Sequence, residues 1–166
     1  MKISILLAVI LTPMILSAFT SDFDSPCEII SLEDVKKRFN LDESVEISLE
    51  DKAYTYPTCS ISWKDGKVTK SMDVGGQSIE VELDSELLIV MVKDANASMY
   101  ETSISVYTDG IIEDAIGDKA TWSDKRAQLT FLSDNYLFHV HVRASNDNVL
   151  NRNHAVEIAE SIIAKL

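Results

Sequence analysis

Hydrophobic and polar residues alternate along most of this chain, and a period of two marks strands that are buried on one face only. Val45, Ile47 and Leu49 point one way, with Glu46, Ser48 and Glu50 the other. After Tyr54-Thr55-Tyr56-Pro57, residues Cys59, Ile61 and Trp63 alternate with Ser60 and Ser62, which puts Cys59 on an apolar face. Asp65-Gly66 is a turn signal and Gly75-Gly76 a second break. Ile79, Val81 and Leu83 then alternate with Glu80, Glu82 and Asp84, a half-exposed strand with an acidic outer face. The continuous apolar run Leu87 to Val92 predicts a more buried strand. Three more strands are expected at Ala120–Ser123, Gln128–Leu132 and Tyr136–Val142, the last two joined across Ser133-Asp134-Asn135.

Helical spacing is confined to the two ends. Ser31-x-x-Asp34 has the form of a capping box, with Leu32, Val35 and Phe39 on one apolar side and Asn40 as a stop. A final helix over about Asn151–Leu166 would bury Ala155, Ile158 or Ala159, Ile162 and Leu166, capped by Asn151 or Asn153. Residues 94–107 fit either a short helix through Ala97, Tyr100 and Ile104 or a strand from Thr102 to Tyr107. Asp109-Gly110 and Gly117-Asp118 bracket a loop. The expected fold is α+β: an antiparallel sheet packed against an N-terminal and a C-terminal helix on one face.

The first 20 residues read differently. Lys2 precedes an apolar run from Ile3 to Phe19 broken only by Ser4, Thr12, Pro13 and Ser17, and small residues stand near its end. This is the pattern of a cleaved export signal. Cleavage after Ala18-Phe19-Thr20 would leave residues 21–166 as one domain. An uncleaved anchor is the rival reading, but a spanning helix needs about 20 apolar residues, and Pro13 interrupts a shorter run. Leu16-Ser17-Ala18 begins like a lipobox, yet position 19 is Phe where the lipid-bearing cysteine would stand. No stable membrane anchor is therefore expected after cleavage, and the expected location is the periplasm or the exterior.

Export changes the meaning of the only two cysteines, Cys27 and Cys59. In an oxidising compartment such a pair becomes a disulfide. Redox catalysis favours C-x-x-C spacing, and a metal site needs more ligands.

The formal charge is −12. Lys2 is the only charged residue of the leader, so its removal takes the domain to −13. Such a surface repels phosphate backbones and excludes nucleic acid as a natural partner. It leaves a basic protein or a small ligand as the expected partner, and the oligomeric state open.

Candidate chemistry is sparse. In His139-Val140-His141 both imidazoles share one face of a strand, while Phe138, Val140 and Val142 share the other. Two such imidazoles can hold Zn²⁺ or Cu²⁺ if His154, Asp118 or Asp134 supplies a third ligand. The opposing reading is a plain polar strand face that continues to Arg143. The acids Glu80, Glu82, Asp84 and Glu86 lack the spacing and turn glycine of a Ca²⁺ loop. Trp122 is a candidate wall of a ligand groove, against its commoner role as core filler. There is no G-x-S-x-G elbow, no S-x-x-K and no glycine-rich phosphate loop, so no catalytic residue and no cofactor are expected. Asn96-Ala97-Ser98 is a sequon with meaning only in a eukaryotic secretory pathway.

Three segments together resemble a family. Pro26-Cys27-Glu28-Ile29-Ile30-Ser31 with Asp34-Val35 is similar to the P-C-x-L-L-[ST]-x-x-[DE]-[VI] opening of small bacterial envelope domains. Cys59-Ser60-Ile61-Ser62-Trp63 resembles their second cysteine and following Trp, and Ile116-Gly117-Asp118-Lys119-Ala120-Thr121-Trp122 resembles their G-D-x-A-x-W turn. The resemblance implies a disulfide-closed α+β domain among secreted proteins and lipoproteins of largely unknown function, and it supplies no catalytic residues. The expectation is a non-enzymatic exported domain that binds a protein or ligand or serves the cell envelope. The alternative is a metal-binding protein or metal-dependent hydrolase using His139 and His141.

Overall fold

A computed structural model describes residues 22–166; the leader expected at residues 1–20 lies outside the described residues. The described residues form seven strands: β1 (Ile47–Lys52), β2 (Thr58–Val74), β3 (Gln77–Val92), β4 (Gly110–Ile112), β5 (Lys119–Ser123), β6 (Gln128–Ser133) and β7 (Tyr136–Arg143). They also form three α-helices, α1 (Leu32–Arg38), α2 (Ala97–Ile104) and α3 (Asn148–Ile163), and a 3-10 turn at Pro26–Glu28. All strand pairs are antiparallel, in the order β1-β2-β3-β7-β6-β5-β4. Two meanders, β1–β3 and β4–β7, thus meet along β3 and β7, and the segment carrying α2 crosses between them.

Register assigns the two faces. Cys59, Ile61 and Trp63 stand beside Ile89, Leu87 and Ser85, and of these Ile89 and Leu87 stand beside Val140 and Val142. They share one buried cluster with Leu129, Phe131 and Trp122, with Ile29, Val35 and Phe39 from the N-terminal segment, and with Ala155, Ile158 and Ile162 of α3. Cys27 and Cys59 are joined, with 5.1 Å between their Cα atoms, so the disulfide ties the 3-10 turn to this core side. On the other face a smaller cluster joins Val92, Leu132 and Leu137 to Tyr100, with Met99 and Ile104 of α2 packed against it.

Local chemistry explains most boundaries. Ser31 and Asp34 close the capping box, and Asn40 ends the turn at φ 49°. Residues 94–107 resolve to helix, because the Asn96 side chain accepts from the N–H groups of Ser98 and Met99. The C-terminal helix starts earlier than its sequence suggests. Asp147 is the cap, and Asn151 is instead buried, accepting from Ala144 N and donating to Ser145 O.

Asp65-Gly66 is not a hairpin. Asp65 draws in Trp63 Nε1 at 3.0 Å, Ser85 Oγ at 2.8 Å and Lys67 N at 3.3 Å, and the strand continues through a bulge between Trp63 and Val68. The two strands expected around residues 79–92 are also one, since β3 runs unbroken past the bulge of its partner. The real turn is Gly75-Gly76, where both residues have positive φ (64° and 82°) as a two-residue hairpin loop requires.

Candidate functional site

The face opposite the main core carries a row of paired residues running across six strands: Ile112, Thr121, Thr130, His139, Val90 and Thr58. Alternation put each of them on this side, and the segment from α2 to Tyr107 is fastened on top. Tyr100 Oη lies 2.6 Å from Thr121 Oγ1, and Tyr107 Oη lies 2.6 Å from Thr130 Oγ1. Thr130 Oγ1 in turn lies 2.8 Å from His139 Nδ1.

Gln128 orients this chain. Its Nε2 donates to Tyr107 Oη at 2.7 Å, so the Tyr107 hydroxyl is free to donate to Thr130, and the Thr130 hydroxyl to His139 Nδ1. With Nδ1 taken as the acceptor, which also suits Gln128 Nε2 at 3.3 Å, we assign the His139 proton to Nε2, which has no hydrogen-bond partner among the described residues. Burial pushes the His139 pKa below its ordinary value, which keeps the ring neutral. Burial also raises the Tyr107 pKa, outweighing its hydrogen bonds to Thr130 and Gln128.

Two clefts flank α2. One, of about 270 Å³, has apolar walls from Tyr56, Val92, Met99 and Leu137, hydroxyls from the α2 serines and threonine, and His139 at its edge. The other, of about 310 Å³, lies between Tyr100 and the Ile116-Gly117-Asp118-Lys119 turn. Among its charges Lys119 pairs with Glu101 at 2.5 Å and Glu113 pairs with Arg152, while Asp114 and Asp118 have no ion-pair partner among the described residues. Gly117 is required there, because it has φ 52° and a side chain would meet the carbonyl oxygen of Leu132.

The sequence-predicted site residues separate. His139 and His141 do share a face, but each has its Nδ1 engaged, His141 at 2.8 Å from the Arg126 carbonyl oxygen. The proposed third ligands do not converge on them. His154 packs on Phe39 on the opposite side of the sheet, with ring centroids 4.6 Å apart, and Asp118 lines the far cleft. Among the described residues no group of three or more His, Cys, Asp or Glu side chains could hold a metal ion.

Trp122 is not a groove wall. It is wholly buried in the core, with Nε1 donating to Asp124 at 2.7 Å. The groove beside it exists but takes Thr121 from this stretch, because alternate residues of a strand face opposite ways, and it touches Ala120 only at its end.

Sequence reasoning passed over Tyr100, Tyr107, Gln128 and Thr130. Their only signal is parity: Gln128 and Thr130 are the polar positions of a strand whose apolar positions are Leu129 and Phe131. In comparisons with known proteins, no family model, curated protein or solved structure matches this chain. No helix among the described residues is long and apolar enough to cross a membrane.

Proposed function

We propose that this chain is an exported, non-enzymatic binding domain that takes a small, partly apolar ligand in the cleft between α2 and the β3–β7 pair. The observation that carries the reading is a neutral imidazole at the edge of an apolar recess, its Nδ1 committed to Thr130 and its Nε2 left without a partner. A ligand with a hydrogen-bond acceptor would receive Nε2–H while its apolar body lies against Met99, Val92 and Leu137. Binding is favoured over catalysis because the hydroxyl held by His139 is that of Thr130, which is fully buried and already engaged by Tyr107. A buried, doubly engaged hydroxyl cannot reach a substrate as nucleophile.

Export rests on the leader pattern, on the Cys27–Cys59 disulfide and on the resemblance to envelope domains. The test is an NMR-monitored titration with a library of small amides, esters and aromatic acids. Binders should perturb the amides of Val92, Met99, Leu137 and His139, and H139A or M99R should weaken them by about tenfold or more. Binders that map elsewhere, or that ignore both substitutions, would overturn the proposal.

A further inference from the structure

The β2–β3 hairpin outgrows its sheet. β1 pairs with β2 only over Thr58–Trp63, and β7 pairs with β3 only over Glu86–Val92. Beyond the bulge, residues 68–74 and 77–83 pair with each other alone. The result is a two-stranded arm of roughly 20 Å, at about 3.3 Å per residue. Every residue from Lys70 to Glu80 is exposed.

The arm is two-faced. Met72 lies beside Ile79 and Lys70 beside Val81, with Val74 next along the same side. Thr69 lies beside Glu82, Ser71 beside Glu80, and Asp73 beside Ser78 on the other. Met72, Ile79 and Val74 remain 45%, 44% and 55% exposed.

The arm is also held at its base. Asn146 Oδ1 accepts from Thr69 N at 3.1 Å, Asn146 Nδ2 donates to Thr69 Oγ1 at 2.9 Å, and Val68 is buried. An isolated hairpin is marginal in water, and an open edge is a template for another strand. Edges that must stay unpaired carry charged side chains, lysine above all, or proline. The β3 edge from Gln77 to Asp84 has no lysine or proline, and its charges, Glu80, Glu82 and Asp84, are all acidic, so they guard it against an acidic strand and not against a cationic one.

We infer that this β3 edge is the docking site for an extended, cationic segment of another protein, added as a further strand. Charge selects the occupant. A second copy of the chain pairing on the same edge would bring Glu80, Glu82 and Asp84 against like charges, on a molecule already strongly acidic. A strand alternating Lys or Arg with apolar residues meets both faces at once. Its apolar side chains extend the Met72–Ile79 face, its cations lie beside Glu80 and Glu82, and its backbone fills the open edge.

The probe is a capped synthetic peptide of about ten residues alternating Lys and Val, the length that spans the edge. Its controls are an alternating Glu–Val peptide and a peptide with the same Lys and Val content in two blocks. Titration of the full chain, followed by amide NMR, should perturb residues 69–84. The blocked and acidic peptides should bind at least about tenfold more weakly, because they cannot match the two-residue period. Added salt should weaken the alternating peptide. E80K/E82K and M72T/I79T should each lower affinity about tenfold or more while the resonances of β5–β7 stay in place. Equal binding of the blocked peptide, or perturbations scattered over the acidic surface, would reduce the effect to unspecific attraction and sink the inference. Concentration-dependent sedimentation abolished by M72T/I79T would also overturn it, by making the occupant a second copy.

Discussion

At the scale of single residues, the molecule shows what happens when a buried polar atom has a partner and when it lacks one. Trp63 and Trp122 each bury an indole in the core and hand its N–H to an aspartate two residues later, Asp65 and Asp124. Asp65 is desolvated, yet the hydrogen bonds from Ser85, Trp63 and Lys67 hold its carboxyl below the ordinary value. His154 is the opposite case. Its Nδ1 is buried with no partner, and desolvation, reinforced by the nearby Arg38 and Lys67 charges, depresses its pKa below 6.5 despite the opposing pull of Glu157. Unfolded chains therefore take up this proton first, so the contribution to stability is whole above about pH 6.5 and is lost as the pH falls through the folded value. H154F removes both the orphan nitrogen and the titration while keeping a ring against Phe39. It should stabilise by up to about 1 kcal/mol at pH 7, with a margin that widens towards pH 5. Urea midpoints measured across that range check it, and parallel curves for the two proteins would refute it.

At the scale of elements, the informative one is α2 with the loop that follows it. Its own apolar contacts are few, Tyr100 being its buried residue, so its position depends on two tyrosine hydroxyls reaching the sheet. Y107F removes one of three partners of the buried Thr130 hydroxyl, which keeps Gln128 Nε2 at 3.2 Å and His139 Nδ1 at 2.8 Å. The expected cost is about 1 kcal/mol. The expected local sign is faster amide exchange across Ala97–Ile104, with the central strands unaffected. Unchanged exchange in α2 would mean that its apolar contacts suffice. Little of this element was legible beforehand: residues 94–107 fitted a helix and a strand equally, and the Asn96 cap decided for helix only by where its side chain points.

At the scale of the whole molecule, one face of the sheet is dressed by the core cluster and the other is divided between α2, two clefts and an open row. The disulfide fastens the N-terminal segment to the dressed side. Closing a loop with a sequence separation of 32 stabilises by about 3.5–4 kcal/mol in the chain-entropy account. C27S/C59S should lose about that much in urea denaturation while keeping its secondary structure. A loss well under 1 kcal/mol would show that the reduced chain is already restrained when unfolded.

The sequence by itself determined most of the strands, the antiparallel α+β character and the cysteine pairing, because a period of two, a capping box and two lone cysteines are local or unambiguous signals; the short edge strand β4, read as loop, and the unbroken length of β2 and β3 escaped it. It also put His139 and His141 on one face, since parity needs no neighbour. What only the tertiary structure decided is what each face meets. Thr130, Gln128 and Tyr107 reach His139 through strand order, which no local pattern encodes. Asp65-Gly66 reads as a turn until Ser85 on the next strand is seen to hold Asp65 inside a bulge. Alternation sets Trp122 opposite Thr121, and its partners across the sheet, Ile111 and Leu129, make its side the core rather than the groove. The arm follows the same rule: alternation marks only its second strand, from Ile79, and the length of β1 and β7 leaves the edges of both strands bare.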